Sequence, residues 1–383
     1  MAGGGAMAGR AGTRATDDGA GDDGAVIAPL FDAAFYLDRN PDVRASGGDP
    51  FGHFRDHGWR EGRNPNALFD LGWYVATYPK AAASGGNPVA YYARTGERAG
   101  HRPSARFDPA DYRRLVGLSR SAPALADFLA RRDGARPPPA GFDPAWYLAS
   151  YPDVAAAGVD PFAHYVIDGA AEGRTPRPDA AIIDPTELFD PSYYLIGGPD
   201  LGEHGDDPLE HFCLYGWREG RRPNPYFDPA WYANAHLLTL PRPINPLTHY
   251  VLRGEAADLP PCAWFDTGWY RRRYRLPAGV SPLRHYLRHR RSQRFSPTPW
   301  FDHEHYLRAQ GERVGPNRDP FAHYLVHGAR RDIDPSPEFD AAGYRARHMP
   351  PLDPTAPARG AIEEHNPLLH FLLRRAAEDV SPA

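Results

Sequence analysis

The stretch Phe142–Arg174, FDPAWYLASYPDVAAAGVDPFAHYVIDGAAEGR, decides the fold, because copies of it fill nearly all of the chain from Phe31 onward. Each copy opens with Phe-Asp and carries a Tyr four residues after the Asp. The openings stand at Phe31, Phe69, Phe107, Phe142, Phe189, Phe227, Phe265, Phe301 and Phe339, with Tyr36, Tyr74, Tyr112, Tyr147, Tyr194, Tyr232, Tyr270, Tyr306 and Tyr344 in step. The modal spacing is 38 residues, as from Phe31 to Phe69. A period of this size belongs to architectures built by stacking one small unit on the next.

Within a copy, three segments have the chemistry of a helix start. In Phe142–Arg174 they are Asp143-Pro144, Tyr151-Pro152-Asp153 and Asp160-Pro161. Asp or Asn accepts from the free amides of the first turn, and Pro occupies the first helical position, where its missing N–H costs nothing. Asn40, before Pro41, reads as the cap of the second start in the first copy. Phe and Tyr of the first helix fall at the N′ and N4 positions of a hydrophobic staple. Gly158 and Gly169 read as left-handed residues that stop the second and third helices. The pattern predicts helix, helical turn, helix in each repeat.

Helices this short are marginal in water alone, so a repeat must draw its stability from burying Phe, Tyr, Trp and Leu against its neighbours. The expected fold is all-α, a solenoid-like array of about nine helical repeats over residues 29–383, behind a disordered Gly/Ala/Asp-rich tail over 1–28. Three places depart from the pattern. Repeat three lacks the Pro and His of its last helix and runs into Pro137-Pro138-Pro139. A longer connection, Thr175 to Leu188, separates repeats four and five. A Pro-rich insertion between His348 and His365 interrupts repeat nine. These mark candidate bends or seams.

Composition narrows the function classes. Hydrophobic residues are 42% and charged residues 24% of 383, which is ample for a folded body. Gly (38) and Pro (43) recur at fixed places and act as punctuation. A net charge of −4 argues against a surface given over to nucleic acid or anionic membrane, so any basic site is local. Lys80 is the sole lysine, and nearly all positive charge is Arg. Cys213 and Cys262 form no Cys-x-x-Cys pair, which points to neither a disulfide framework nor a zinc ribbon. With no secretory h-region and no membrane-length apolar run, the expected location is cytoplasmic, at most peripheral to the inner membrane.

Two sets of residues stand out as ligand-binding candidates. The third helix of seven repeats contains Pro-[Phe/Leu]-x-His-[Phe/Tyr], giving His53, His164, His211, His249, His285, His323 and His370, with Tyr91 and Asp127 in that place in repeats two and three. Such a ladder suits either a groove for a repetitive ligand or a recurring internal hydrogen bond, and the internal bond is favoured. The pairs His53/His57, His285/His289 and His323/His327 have the one-turn spacing of metal ligands but lack a third partner, so no metal is expected. The second set is Arg271, Arg272, Arg273, Arg275, Arg284, Arg288, Arg290, Arg291 and Arg294, nine arginines in a span without an acidic residue. This seventh repeat suits either an anionic partner or a merely solvated charged face, and the solvated face is favoured.

The tail Gly-Trp-Arg-Glu-Gly-Arg at 58–63 and 216–221 offers Glu–Arg pairs between repeats, with Trp59 and Trp217 covering the packed layer. Asp332-Ile333-Asp334 has the letters of a metal–nucleotide-sugar site but no strand before it. Phosphate-binding glycine loops and nucleophile elbows are lacking, so neither catalytic residues nor a cofactor is predicted.

The full motif, FDxxxYL…NPDV…GxDPxxHY…GWREGR, as in Phe31 to Arg63, resembles tandem helical repeats that accompany glycosyltransferase and other polysaccharide-biosynthesis proteins of bacteria. The resemblance implies a non-catalytic binding or scaffold protein of cell-surface polysaccharide biosynthesis, with a biosynthetic protein or glycan as partner. A glycosyltransferase-related enzyme or accessory subunit is the second implication. The arginines of repeat seven leave a third reading, an RNA or lipid headgroup as anionic ligand, with nucleic acid disfavoured by the net charge.

Overall fold

The computed structural model describes residues 23–197, 207–350 and 365–380, and it is all-helical. Among the described residues there is no strand, only isolated bridges such as Ser104 to Phe107. The chain divides into two compact units, Met1–Phe142 with repeats one to three and Asp143–Ala383 with repeats four to nine. The tail expected over 1–28 ends sooner than the sequence suggests. Asp23–Ile27 is helical and leads into the 3₁₀ turn Ala28–Leu30, with Ile27 and Leu30 buried; residues 1–22 lie outside the described residues. The same device recurs in the connection before repeat five, where the helix Asp179–Ile183 leads into the 3₁₀ turn Asp184–Thr186. Both lead-in helices pack on the third helix of the following repeat but one. The insertion in repeat nine lies almost wholly outside the described residues.

The first-helix chemistry is as the sequence dictates. Asp32, Asp70, Asp143, Asp228 and Asp266 each accept from the amide three residues on, at 2.8–2.9 Å. Phe31 and Tyr36 pack with ring centroids 5.2 Å apart, and Phe227 with Tyr232 at the same distance. A third aromatic, one residue after the ladder position of the third helix, completes a largely buried triad with them. In repeat six it is Tyr250, with Phe227 at 5.4 Å and Tyr232 at 5.8 Å. The first amide of the opening Asp donates to a Pro carbonyl just beyond its own repeat's third helix, as from Asp32 to Pro65 and from Asp302 to Pro335, which ties the two ends of the repeat together.

The middle element is less regular than the sequence pattern predicts. Pro41–Ser46, Pro79–Ala83 and Pro152–Ala157 are short helices. Repeat six has only turns there, between Pro229–His236 and Pro246–His249. Repeat eight lacks the breaking proline, so its first and second helices run together as His303–Val314. Asn40 is not a cap: its amide donates to the Tyr36 carbonyl at 2.7 Å, and its oxygen accepts from Arg63.

The third helix carries the largest correction. Gly169 does not have left-handed backbone; Gly158 (φ 63°) and Gly173 (φ 82°) do. In six repeats the third helix starts as α and widens into a π turn that ends on a glycine: Gly58, Gly96, Gly169, Gly216, Gly254 and Gly328. The π turn adds one residue, with i to i+5 bonds such as Ala170 to Tyr165 at 2.9 Å. The reason is the opening tyrosine. Its hydroxyl lies where a Cβ on that glycine would be, within 1.9–2.5 Å in all six repeats. Repeats three, seven and nine have Arg132, Arg290 and Arg375 at this position, and their helices Ala124–Arg132, Pro282–His289 and Pro367–Val380 stay α. Repeat seven therefore reaches its left-handed tail residue, Gln293, eight residues after His285, whereas Gly173 comes nine after His164.

Contacts also run beyond nearest neighbours, contrary to a simple solenoid stack. Arg132 of repeat three pairs with Asp32 of repeat one at 2.8 Å. Arg290 of repeat seven lies 3.9 Å from Asp190, the equivalent cap of repeat five. Thr248 of repeat six donates to Asp179, and Tyr226, at the start of repeat six, donates to Asp319 of repeat eight. Second neighbours thus share the core of each unit.

Candidate functional site: an arginine-lined cleft between repeats seven and eight

The histidine ladder lies against the opening tyrosines. Nδ1 of His53, His164, His211, His249, His285, His323 and His370 meets the hydroxyl of the tyrosine of its own repeat at 2.8–3.0 Å. In repeat two, where Tyr91 stands in the ladder, His101 of the tail bonds Tyr74 at 3.0 Å and stacks flat on Tyr78. In repeat three Asp127 accepts from Tyr112 at 2.7 Å and pairs with Arg131 and Arg136. All nine tyrosines are thus partnered, by three different chemistries, as buried hydroxyls require. Burial pushes the imidazoles of His249, His285, His323 and His370 below the ordinary histidine range, His249 to about 4. Ring centroids of His285/His289 and His323/His327 are 4.5 and 4.9 Å apart, but among the described residues no group of three or more His, Cys, Asp or Glu could hold a metal ion.

The Glu-Gly-Arg tails close repeats one and four on themselves, whereas tail carboxylates of repeats two, six and eight pair with an arginine of the next repeat: Glu97 with Arg113, Glu255 with Arg284 and Asp332 with Arg345. Arg174 pairs with Asp153 and Glu172 of its own repeat, both at 2.6 Å, and Arg63 does the same with Asp42 and Glu61. Trp59 and Trp217 are half-buried and stacked by Arg60 and Arg218. Asp332 pairs with Arg345, and Asp334 accepts from the Ala341 amide, so the Asp-x-Asp letters are used in the fold.

The arginines of repeat seven separate into two groups. Arg271 pairs with Asp258, Arg284 with Glu255, and Arg288 with the exposed Glu187. Arg272, Arg273, Arg275, Arg291 and Arg294 are exposed, and among the described residues none has an ion pair; Arg273 lies 5.6 Å from the Tyr274 ring. Arg290 is half-buried where repeats five, six, seven and eight meet. Besides Asp190 it meets Asp319 at 3.5 Å and the ring of Tyr226 at 5.9 Å.

Asp319 organises this junction. It caps the third helix of repeat eight by accepting from the amides of Phe321 and Ala322, and it accepts from the hydroxyls of Tyr226 and Tyr286. Burial raises its carboxyl above the usual carboxylate range, against the pull of Tyr226 and Arg290. Over it opens a cleft of about 430 Å³. Arg290 and Arg291 of repeat seven, Arg313 and Arg318 of repeat eight, and His323 and His327 provide its polar lining; Pro225, Val314, Ala322 and Val326 provide an apolar wall. The unbroken helix His303–Val314 delivers Arg313 and Val314 with its last turn. The side-chain amide of Gln293 donates to the carbonyls of Gly315 and Arg318, at 2.7 and 3.2 Å, and holds the rim of repeat eight against repeat seven.

Of the residues singled out in the sequence, the fold brings Arg290, Arg291, His323 and His327 to this cleft. Arg271, Arg272, Arg273, Arg275, Arg288 and Arg294 do not line it, and neither do His53, His164, His211, His249 and His285. Arg313 and Arg318 carry no signal in the sequence, because each is one arginine among ordinary polar residues and joins the others only through packing. A guanidinium without a carboxylate partner at a semi-enclosed surface is suited to holding an anion by charge-assisted hydrogen bonds. Among the described residues Arg291, Arg313 and Arg318 meet that description, and Arg313 donates to the Gln310 side chain at 3.2 Å.

Fold and cleft together define an all-α helical-repeat protein with a basic cleft. Comparison of the chain with protein-family models, curated proteins and solved structures finds no match.

Proposed function

We propose that the chain is a non-catalytic helical-repeat binding protein that receives an anionic ligand in the cleft between repeats seven and eight. The observation that carries this reading is the grouping of Arg291, Arg313 and Arg318, which have no carboxylate partner among the described residues, around one cleft whose acidic lining residue, Asp319, is engaged by Arg290 and two tyrosines. The resemblance of the repeats adds the setting: scaffolding in bacterial cell-surface polysaccharide biosynthesis, with a glycan or a biosynthetic protein as partner. Under this reading the protein works in the cytoplasm, at most peripherally at the inner membrane. Among the described residues no helix is long and apolar enough to cross a membrane. The glycosyltransferase-related alternative draws no support from the described residues, which contain no sheet to carry a nucleotide-sugar site and which employ Asp332 and Asp334 in structural bonds.

Retention on an immobilised sulfated oligosaccharide tests the anion site. The full chain is expected to elute at distinctly higher salt than a triple variant with Arg291, Arg313 and Arg318 changed to Ala. Equal elution of the two removes the cleft as the binding site.

A further inference from the structure

We propose that the group this cleft is built to hold is a diphosphate, carried by a ligand whose attached portion lies on the apolar wall. The inference rests on the anion-binding reading above and specifies its ligand.

Charge matching supplies the first argument. The lining holds four arginines, Arg290, Arg291, Arg313 and Arg318, against one carboxylate, Asp319, which leaves three formal positive charges without a counterpart among the lining residues. A carboxylate brings about one negative charge and a phosphate monoester about two, so either leaves a guanidinium unmatched; two linked phosphates bring about three. Donor count supplies the second. Each guanidinium offers a fork of N–H groups that fits the tetrahedral oxygens of phosphate. His323 adds one more donor. Its Nδ1 meets the Tyr306 hydroxyl at 2.8 Å, burial lowers the imidazole pKa and so favours the neutral ring, and in the tautomer whose Nδ1 accepts from the phenol the ring proton sits on Nε2. Nε2 is then the ring nitrogen that a ligand oxygen meets, and a neutral N–H donor adds to binding without adding charge.

Shape supplies the third argument. The lining is part polar and part apolar, with Pro225, Val314, Ala322 and Val326 as its apolar wall beside the arginines. A free inorganic ion has no use for that wall, whereas a diphosphate ester does. The esterified portion can be a nucleoside or an isoprenoid chain, and both present the same diphosphate to the arginines. Gln293 is a positioning residue for this site, since it holds the carbonyls of Gly315 and Arg318 and so fixes the rim from which Arg318 extends.

The test is isothermal titration of the full chain with inorganic pyrophosphate, with uridine diphosphate, with geranyl diphosphate and with a glucuronate trisaccharide. Pyrophosphate is expected to bind, and Arg291→Ala, Arg313→Ala and Arg318→Ala each to weaken it roughly tenfold. Arg294→Ala, an exposed arginine away from the cleft, is expected to leave the affinity unchanged. Tighter binding of the uridine or the geranyl ester than of pyrophosphate supports the role of the apolar wall and identifies the source of the diphosphate. Glucuronate binding through the same three arginines, with no pyrophosphate binding, overturns the diphosphate assignment and leaves the anion cleft intact. Pyrophosphate binding that is indifferent to all three arginines overturns it as well, and binding of none of the four probes removes both readings.

Discussion

Repeats seven and eight start from the same motif and differ at one position five residues after the ladder histidine. Repeat eight has Gly328, repeat seven Arg290. In repeat eight the Tyr306 hydroxyl lies on the glycine, the helix opens into a π turn and the repeat closes on itself. In repeat seven the helix stays α, and the arginine that replaces the glycine reaches the helix caps of repeats five and eight. Glycine at this position serves packing within a repeat. Arginine converts the same position into a link between repeats, and the cleft stands beside that link. Arg132 of repeat three makes the equivalent link to Asp32, and Arg375 of repeat nine, at the same position, lies 5.5 Å from the ring of Trp300.

Substitutions can break the comparison at its strongest point first. Asp319→Ala removes the cap of repeat eight and leaves Arg290, Tyr226 and Tyr286 without their shared acceptor; breaking a buried charged network of this kind costs about 3–5 kcal/mol. A urea-unfolding midpoint within error of the parent would show that the junction is not a stabilising link. Gly328→Ala places a Cβ 2.5 Å from the Tyr306 hydroxyl and 2.9 Å from the Tyr324 ring, with an expected loss of about 2–3 kcal/mol. Combining it with Tyr306→Phe should recover part of that loss. If the double variant is no better than the sum of the two single ones, the hydroxyl is not what excludes the Cβ.

Arg290→Gly restores the majority letter in repeat seven, yet it should destabilise by about 1–2 kcal/mol because the links to Asp190 and Asp319 go with the side chain. A stabilised variant would mean that the π turn is preferred even there. Tyr306→Phe alone removes one hydrogen bond to His323 and should cost about 1 kcal/mol by the same measurement.

Acid titration gives the smallest and most specific effect. His249, in a π-turn repeat, is held by burial at about 4, well below the ordinary histidine value. A depressed histidine favours the folded state above its unfolded pKa, and that contribution is lost as pH falls from about 6.5 through 4. The stability difference between the parent and His249→Gln should therefore shrink across this window. A constant difference would show that His249 titrates normally.

Much of the local structure is legible in the letters. Asp-Pro starts, the Phe–Tyr staple and Gly158 at a helix stop each follow from chemistry that acts within a few residues. The third-helix glycine is misleading for the same reason. Gly169 looks like a C-cap because the usual local cause of a terminal glycine is a left-handed backbone, whereas its actual cause is the Tyr147 hydroxyl, 22 positions earlier in the chain. Asn40 misleads likewise, since its partner Arg63 comes from the tail of the repeat. For the candidate site, Arg290, Arg291 and His323 stand out in the sequence as a basic run and a ladder member. Arg313, Arg318 and Asp319 do not, because a dispersed set has no sequence signature.

The sequence by itself determined the repeat, its helix starts, the Phe–Tyr staple and an all-α body, because capping and stapling are short-range interactions fixed by neighbouring residues. Tertiary structure alone decided which glycines mark π turns and which tail charges close a repeat. It also decided that second-neighbour repeats meet and that four arginines from two repeats share one cleft, because these depend on contacts between side chains distant in the chain.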